Sequence, residues 1–557
     1  MMRIFKTYNK PLFLVFIAII FVLGLVFRLL FLLKEGIYVD EASNLPLSIM
    51  YFKAIMKFPP NVSIFLSNAL KPEFYNIFYG FIGYIFNDLK LPDIVSYKYI
   101  NFVPISILLY ERIGILFTNS ALFLVTLFIL LRINERISIL FSIFYWLNPL
   151  IIFNSSLVLT SSLVIPLSVL YLVSIFSSKL KFNIFLLIGA IAFGFLMSVQ
   201  YYDIIFLTAP IVLYILYIRM YPPSKFLKFF LSFLGISLAI FILANPGFMF
   251  DPLVFIRATL IDTGTVLSTS SGVVGIPSYL FGEPRLIDPI YTVLILTFFQ
   301  TPVLILFFAL IGGYLFFYNS YQNIKEGNDL SDNEHQMGYF AFFIFISCVI
   351  FTLIFNYLRS NYIIIIAPLI LFSAISSDQI VQRIMNQKTH IAKGSSKYFS
   401  KKIKNKAQLF AVMIIILIII INGFSVIQNE GNLPVYTNVL AYAPNLEHQY
   451  LHGSWNSAQA DSLIGKYIGN MGIKNKTILT LALTSMVAYY APDNDYIQIW
   501  SQINGTQLIK YYAGDYIVVD GWYSQLYGNP IYNYPKDFNV ICKVNLIGGY
   551  SILAKVT

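Results

Sequence analysis

The chain has 557 residues, of which 58% are hydrophobic and only 11% charged, with a net charge of +11 and a mean hydropathy of +0.74. Many apolar runs reach the ~20 residues that cross a ~30 Å hydrocarbon core, and a lipid-buried backbone must satisfy its own hydrogen bonds, so the class is a polytopic α-helical membrane protein. The positive charge lies largely in short loops, where it sets orientation and does not suggest nucleic acid, and Cys348 and Cys542 are too isolated for a disulfide framework or a metal site.

The N-terminus carries Arg3, Lys6 and Lys10 with no acid and is expected in the cytoplasm. Pro11 to Leu33 is the first span, and with no small-residue cleavage site after it we read it as a retained anchor. Just beyond it stand two adjacent carboxylates, Asp40-Glu41, in a chain that spends little on charge. Such a pair at a membrane surface can deprotonate a hydroxyl, hold a cation or orient a polar substrate; the plainer reading is a wet loop. The region 34–100 is expected as one long outer loop. Within it, Lys71-Pro72-Glu73-Phe74-Tyr75 opens a short apolar helix, Phe74 to Phe86, that lies on the membrane rather than crossing it. Lys71 there faces the headgroup level as a phosphate ligand or as a snorkelling lysine.

The next crossing, Asn101 to Leu131, contains Glu111-Arg112. Buried ionisable residues mark a pathway or polar cavity, or pair with each other as structural glue. Further spans follow at 137–153, 157–177, 184–200, 204–218, 229–244, 291–317, 338–357, 362–376 and 409–424. That gives about eleven spans, with the N-terminus inside and the C-terminus outside. Asp203, after Tyr201-Tyr202, is expected as a solvated span terminus. The basic loops at Arg132–Arg136 and Lys179–Lys181 and the segment Asp378 to Gln408, with eight Lys or Arg against one acid, fall inside in this scheme. The outer loop 245–290 holds Asp251-Pro252 as a helix start, then Gly264, Gly272, Gly275 and Pro277, then Glu283, Arg285 and Asp288. A long, Gly-punctuated loop over a cavity acts as a lid or is a tolerated insertion. Arg359, between two spans, is placed to clamp a phosphate bidentately or to snorkel.

Residues 425–557 change character. Helices at Ala458–Gly469, Ser485–Tyr490 and Thr506–Tyr512 alternate with strands at Thr477–Leu483, Tyr496–Trp500 and Tyr516–Val519. A closing hairpin, Phe538–Asn545 with Tyr550–Val556, turns at Gly548-Gly549. The expected organisation is therefore a membrane domain over 1–424 and an extracytoplasmic α/β domain over 425–557. No Gly-x-Gly-x-x-Gly or phosphate loop is present in it.

Taken together, Asp40-Glu41 in the first outer loop, Lys71-Pro72-x-x-Tyr75 about thirty residues on, and Arg359 followed by apolar residues and Pro368 resemble the integral-membrane GT-C glycosyltransferases. The resemblance is greatest to the branch of protein O-mannosyltransferases and lipid A aminoarabinose transferases, and covers roughly residues 1–375. It implies sugar transfer, by inverting displacement, from a polyprenyl-phosphate-linked donor to a protein, lipid or glycan acceptor at the outer face. In its terms Asp40 acts as general base, Glu41 orients the acceptor or tunes Asp40, and Lys71, Tyr75, Arg112, Arg285 and Arg359 bind substrate, Lys71 with Arg359 or Arg285 at the departing phosphate. This chain departs from the family at Arg359-Ser-Asn-Tyr362, where Arg-Tyr is usual. It departs again at Asn154–Thr160, where a second acid is often seen and none occurs. That second departure argues against a metal-dependent mechanism; a divalent cation stays open as a cofactor, and no metal ligand is assigned. The alternatives are an oligosaccharyltransferase, for which Asp520-Gly-Trp522-Tyr523 is a poor match to the expected Trp-Trp-Asp, and a transporter or flippase, for which no internal repeat is found.

Overall fold

The structure is a computed structural model. It describes residues 10–34, 39–57, 73–90, 95–97, 100–102, 105–253, 255–257, 278–280, 283–285, 294, 297–298, 301–326, 333–354, 362–392, 420, 453–482, 484–499, 512, 514–521, 529–546 and 549–557. The expected span at 409–424, the Gly-rich part of the 245–290 loop, Arg359, Lys71 and the helix expected at Thr506–Tyr512 lie outside these residues, apart from Ile420 and Tyr512.

Most of the chain is helical. Helix α1 (Lys10–Lys34) is followed by α2 (Val39–Met56), α3 (Glu73–Phe86), a hairpin of β1 (Val95–Tyr97) and β2 (Ile100–Phe102), and α4 (Ile105–Ile133). Then come α5 (Glu135–Trp146), α6 (Pro149–Asn154), α7 (Ser161–Ser178) and α8 (Ile184–Val199). A 3-10 turn (Tyr201–Leu207) leads into α9 (Thr208–Tyr217), α10 (Pro223–Ala244) and α11 (Pro246–Phe250). After the hairpin of β3 (Ser278–Leu280) and β4 (Glu283–Arg285) come α12 (Val303–Phe307), a π-helical turn (Phe308–Gly312) and α13 (Gly313–Lys325). Helices α14 (Asn333–Ile354) and α15 (Tyr362–Ala392) complete this part.

Seven helices among the described residues are long and apolar enough to cross a membrane, and Ile184–Val199 and Asp203–Tyr217 are shorter apolar helices. Two departures from the expected spans matter. The run 137–153 is broken at Leu147-Asn148: the Asn148 side chain caps α6 at the Leu150 N–H, and Pro149, which lacks an N–H, takes the first helical position. Asp40-Glu41 is not in a loop. Both sit in the first turn of α2, where the unpaired N–H groups of a helix favour acids.

The two ends of the helices gather different residues. At one end Arg136 lies 3.0 Å from Asp378 as an ion pair, and 3.7 Å from Glu334. The Asn134 amide binds Glu334, and Lys179 binds Asn333 at 2.8 Å. The segments expected on the cytoplasmic side therefore share one end. At the other end α1, α2, α3, α4 and the α6–α7 connection meet. Between the ends runs an apolar core with a stack of Phe21, Trp146, Phe123, Tyr145 and Phe141.

The C-terminal part is a five-stranded sheet in the order β6-β5-β7-β9-β8, with β5 (Thr477–Leu481), β6 (Asp495–Gln498) and β7 (Tyr516–Asp520) parallel. β8 (Phe538–Leu546) and β9 (Gly549–Val556) form an antiparallel hairpin. Alternate residues bury on opposite faces, Ile478, Val518 and Leu553 on one and Leu479, Ile517 and Ile552 on the other. Helix α16 (Gly453–Asn470) covers the first face, and α17 (Thr484–Tyr490) packs on both α16 and α2. Met486 of α17 is fully buried in the same apolar core as the long helices. The protein is thus a polytopic helical membrane protein with a small α/β unit docked on the end where α2 begins.

Candidate active site

Glu41 is the centre of that end. It is fully buried, and a buried charge requires a partner. The partner is Arg112 of α4, not the adjacent Glu111: Arg112 Nε donates to Glu41 Oε1 at 2.8 Å and Nη2 donates to Oε2. Glu41 Oε1 also accepts the Val158 N–H at 2.8 Å, and Arg112 Nη1 reaches the Leu32 carbonyl at 3.5 Å. One carboxylate therefore ties α1, α2, α4 and the α6–α7 connection together.

That connection, residues 155–160, gathers further polar contacts. Tyr75 donates its hydroxyl to the Val158 carbonyl at 3.1 Å, and Asn44 donates its amide to the same oxygen at 3.3 Å. The Tyr79 hydroxyl bonds the Leu159 carbonyl at 3.1 Å and the Ser162 hydroxyl. Arg28 of α1 donates to Ser155 Oγ at 2.7 Å. The stretch Asn154–Thr160 carries no acid of its own; its backbone groups and the Ser155 hydroxyl hold three helices, α1, α2 and α3.

Glu111 lies beside this pair. Its Oε1 accepts from Ser48 Oγ at 2.8 Å, and its Oε2 is buried without a hydrogen-bond partner among the described residues. Tyr489 of α17, in the C-terminal unit, packs against the helical core and lies within the electrostatic reach of these residues. Burial pushes its phenol up, Tyr490 and Glu41 add to that, Arg112 opposes it, and Glu111 adds again, so all three charged side chains act on it.

A second contact joins α3 to the root of the 245–290 loop. Glu73 Oε2 accepts the Gly247 N–H at 2.7 Å, while its Oε1 is buried and has no hydrogen-bond partner among the described residues. Burial raises the Glu73 carboxyl to about 7, against the pull of the Gly247 hydrogen bond. A Cβ on Gly247 would run into Glu73 Oε1, so the close approach requires glycine.

Of the residues singled out in the sequence, Glu41, Arg112 and Tyr75 converge here. Asp40 opens the same helix as Glu41, and Arg285 ends β4 paired in register with Ser278. Lys71 and Arg359 lie outside the described residues, as do the side chains of Asp40 and Arg285. Asp203 departs from expectation: it is not a solvated terminus but fully buried, with neither carboxylate oxygen hydrogen-bonded among the described residues, because the 3-10 turn folds in against α8 and α14. The sequence reading passed over Arg28, Ser48, Tyr79 and Tyr489. Arg28 carried a signal, as a lone cation inside the first apolar run. Among the described residues no group of three His, Cys, Asp or Glu side chains is arranged to hold a metal.

No protein-family model and no curated protein matches the chain. Solved structures similar to it include ArnT from Cupriavidus metallidurans in the apo state, at 12% identity and a TM-score of 0.48, covering 97% of each chain. The same ArnT bound to undecaprenyl phosphate is similar at 10% identity and a TM-score of 0.47, covering 98% of each chain. The Archaeoglobus fulgidus oligosaccharyltransferase in the apo form is similar at 10% identity and a TM-score of 0.48, covering 98% of this chain and 74% of that one. What this chain acts on rests on its own residues.

Proposed function

We propose that the protein is an integral-membrane glycosyltransferase. It moves a sugar from a polyprenyl-phosphate-linked donor to a protein, lipid or glycan acceptor at the outer face. The observation that carries this reading is the fixed acid at the start of α2. Glu41 is locked by Arg112 and the Val158 N–H, Glu111 and Tyr489 stand beside it, and Asp40 immediately precedes it in the same helical turn.

The role of each residue follows from its engagement. Glu41 is held within the protein and acts as the anchor of the site. Arg112 and Tyr75 act one step back from substrate, holding Glu41 and the 155–160 connection. Asp40 is the general base: it takes the proton of the acceptor as the acceptor atom attacks the anomeric carbon. The bond from that carbon to the phosphate oxygen breaks, its electron pair leaves with the polyprenyl phosphate, and the sugar inverts. Lys71, with Arg285 or Arg359, stabilises the charge that develops on the phosphate. A donor confined to the bilayer suits an active site built where helix ends meet a docked polar domain. The N-terminus is then cytoplasmic and the C-terminal unit extracytoplasmic.

The test uses purified protein in lipid, a polyprenyl-phosphate sugar pool and a membrane extract as acceptor. Transfer by the wild type and its loss in Asp40→Asn support the reading. Undiminished transfer by Asp40→Asn overturns the mechanism.

A further inference from the structure

Arg28 is a cation in the first span, fully buried, and among the described residues no carboxylate pairs with it. Its partners are neutral. Nη1 donates to the Trp146 carbonyl at 2.8 Å and to the Gly24 carbonyl at 3.0 Å, and Nε donates to Ser155 Oγ at 2.7 Å. The guanidinium lies 3.7 Å from the centre of the Trp146 ring, and its Nη2 has no hydrogen-bond partner among the described residues. Gly24 lets that ring sit close, since a Cβ there would run into Trp146 Cδ1.

A guanidinium sealed in an apolar helix bundle without a counter-charge is a poor stabilising device. An apolar side chain of similar length usually serves stability as well or better. What Arg28 does that an apolar residue cannot do is hold two points at the α5–α6 break and beyond it, the Trp146 carbonyl and the Ser155 hydroxyl. Ser155 opens the connection whose Val158 N–H, three residues on, binds Glu41. The same connection receives Tyr75, Asn44 and Tyr79.

We propose that Arg28 is a positioning residue for the acidic site: it fixes the 155–160 connection through Ser155, and that connection sets the Glu41 carboxylate at the start of α2. This rests on the reading of that site as the place of sugar transfer. Arg28 touches no reacting atom, and its effect passes through Ser155 and Val158.

The experiment pairs a kinetic readout with a positional one. Val158 is fully buried, so in a Cys542→Ser background, with Cys348 itself buried, a Val158→Cys thiol is sealed from a maleimide. Adding Arg28→Met should raise its labelling rate about tenfold or more, as the connection opens locally, while the thermal midpoint holds or rises. Ser155→Ala should act in the same direction, and the double variant should be no worse than Arg28→Met alone, since the two act through one contact. In transfer assays Arg28→Met should lower kcat about tenfold with little change in the KM for donor. Arg28→Lys, which keeps one charge and fewer donors, should recover part of the loss and serves if the Met variant does not fold. A thiol that stays sealed together with an unchanged kcat overturns the proposal, as does strict additivity of Arg28→Met and Ser155→Ala. If the wild type transfers no sugar, the functional reading fails, and the labelling rates still decide what Arg28 does.

Discussion

Arg112 and Glu41, 71 residues apart in sequence, form a two-pronged ion pair in the interior, with the Nε–Oε1 bond at 2.8 Å. Neighbours in sequence, Glu111 and Arg112, turn to different partners: the arginine to Glu41 and the acid to Ser48. Removing one member of such a buried pair leaves an uncompensated charge, which typically costs about 3–5 kcal/mol. Arg112→Ala and Glu41→Ala should therefore each lower the thermal midpoint sharply. The double replacement Glu41→Leu with Arg112→Met should recover most of the stability but not the transfer activity. The measurement is thermal unfolding in a fixed lipid or detergent; single variants as stable as the wild type would show that the pair does not hold α2 to α4.

Glu73 gives the stability a pH dependence of definite sign. Its carboxyl is raised from 4.5 to about 7 by burial. Between those values the unfolded chain has released its proton and the folded protein has kept it, so this group makes the protein less stable as pH rises through that window. The effect levels off above about pH 7. At about 1.4 kcal/mol per unit, the total is on the order of 3 kcal/mol. Glu73→Gln should flatten the decline between pH 5 and 7, read as the difference in thermal midpoint at the two pH values. An unchanged slope in the variant would assign the dependence elsewhere.

The docking of the C-terminal unit has its own test. Met486 is buried among the long helices, and Tyr489 beside it is acted on by Glu41, Arg112 and Glu111. Met486→Asp places a charge in that core and should lower stability and transfer together. Tyr489→Phe keeps the ring and removes only the hydroxyl. It should reduce transfer while moving the unfolding free energy by no more than about 1–1.5 kcal/mol, the worth of one ordinary hydrogen bond. Wild-type stability in Met486→Asp would mean that α17 is not seated as described.

Local signals carried much of the fold. Short runs separated by turn residues marked β5, β7 and the closing hairpin nearly to the residue: β5 and β7 are buried along most of their length and so are mainly apolar, while the hairpin is marked by the Gly548-Gly549 turn between two strand-length runs. The break at Asn148-Pro149 was also written locally, as a cap followed by a helix-starting proline, but a continuous apolar run hid it. Helix α2 was obscured by Pro46 and by its mixed composition. The partners of buried charges were not legible. Arg112 announced that it needed an acid, yet two candidates, one adjacent and one 71 residues away, satisfy that need equally on paper. Asp203 looked like a span end because Tyr-Tyr-Asp suits an interface, and only the fold-back of the 3-10 turn buries it. Tyr489 could not be found from sequence at all, since its place depends on how α17 seats against α2.

The chemistry is tested most directly at Asp40. The asparagine amide keeps the shape of the side chain but takes no proton, so Asp40→Asn should lose about 10²-fold or more in kcat with donor binding intact. Lys71→Ala should weaken donor handling instead, because it removes a cation from the phosphate side and leaves the acceptor side alone. Arg359→Lys should be only partly tolerated, since an ammonium cannot reproduce a two-pronged clamp on phosphate. The same assay with a chelator decides metal dependence. The reaction drawn here runs on Asp40 and the basic residues alone, so activity should survive chelation, and a loss restored by a divalent cation would add a metal to the mechanism. The pattern that would overturn the assignment is full transfer by Asp40→Asn together with its loss in Glu111→Gln. The proton would then pass to Glu111, whose Oε2, beside the Glu41–Arg112 pair, is buried without a hydrogen-bond partner among the described residues.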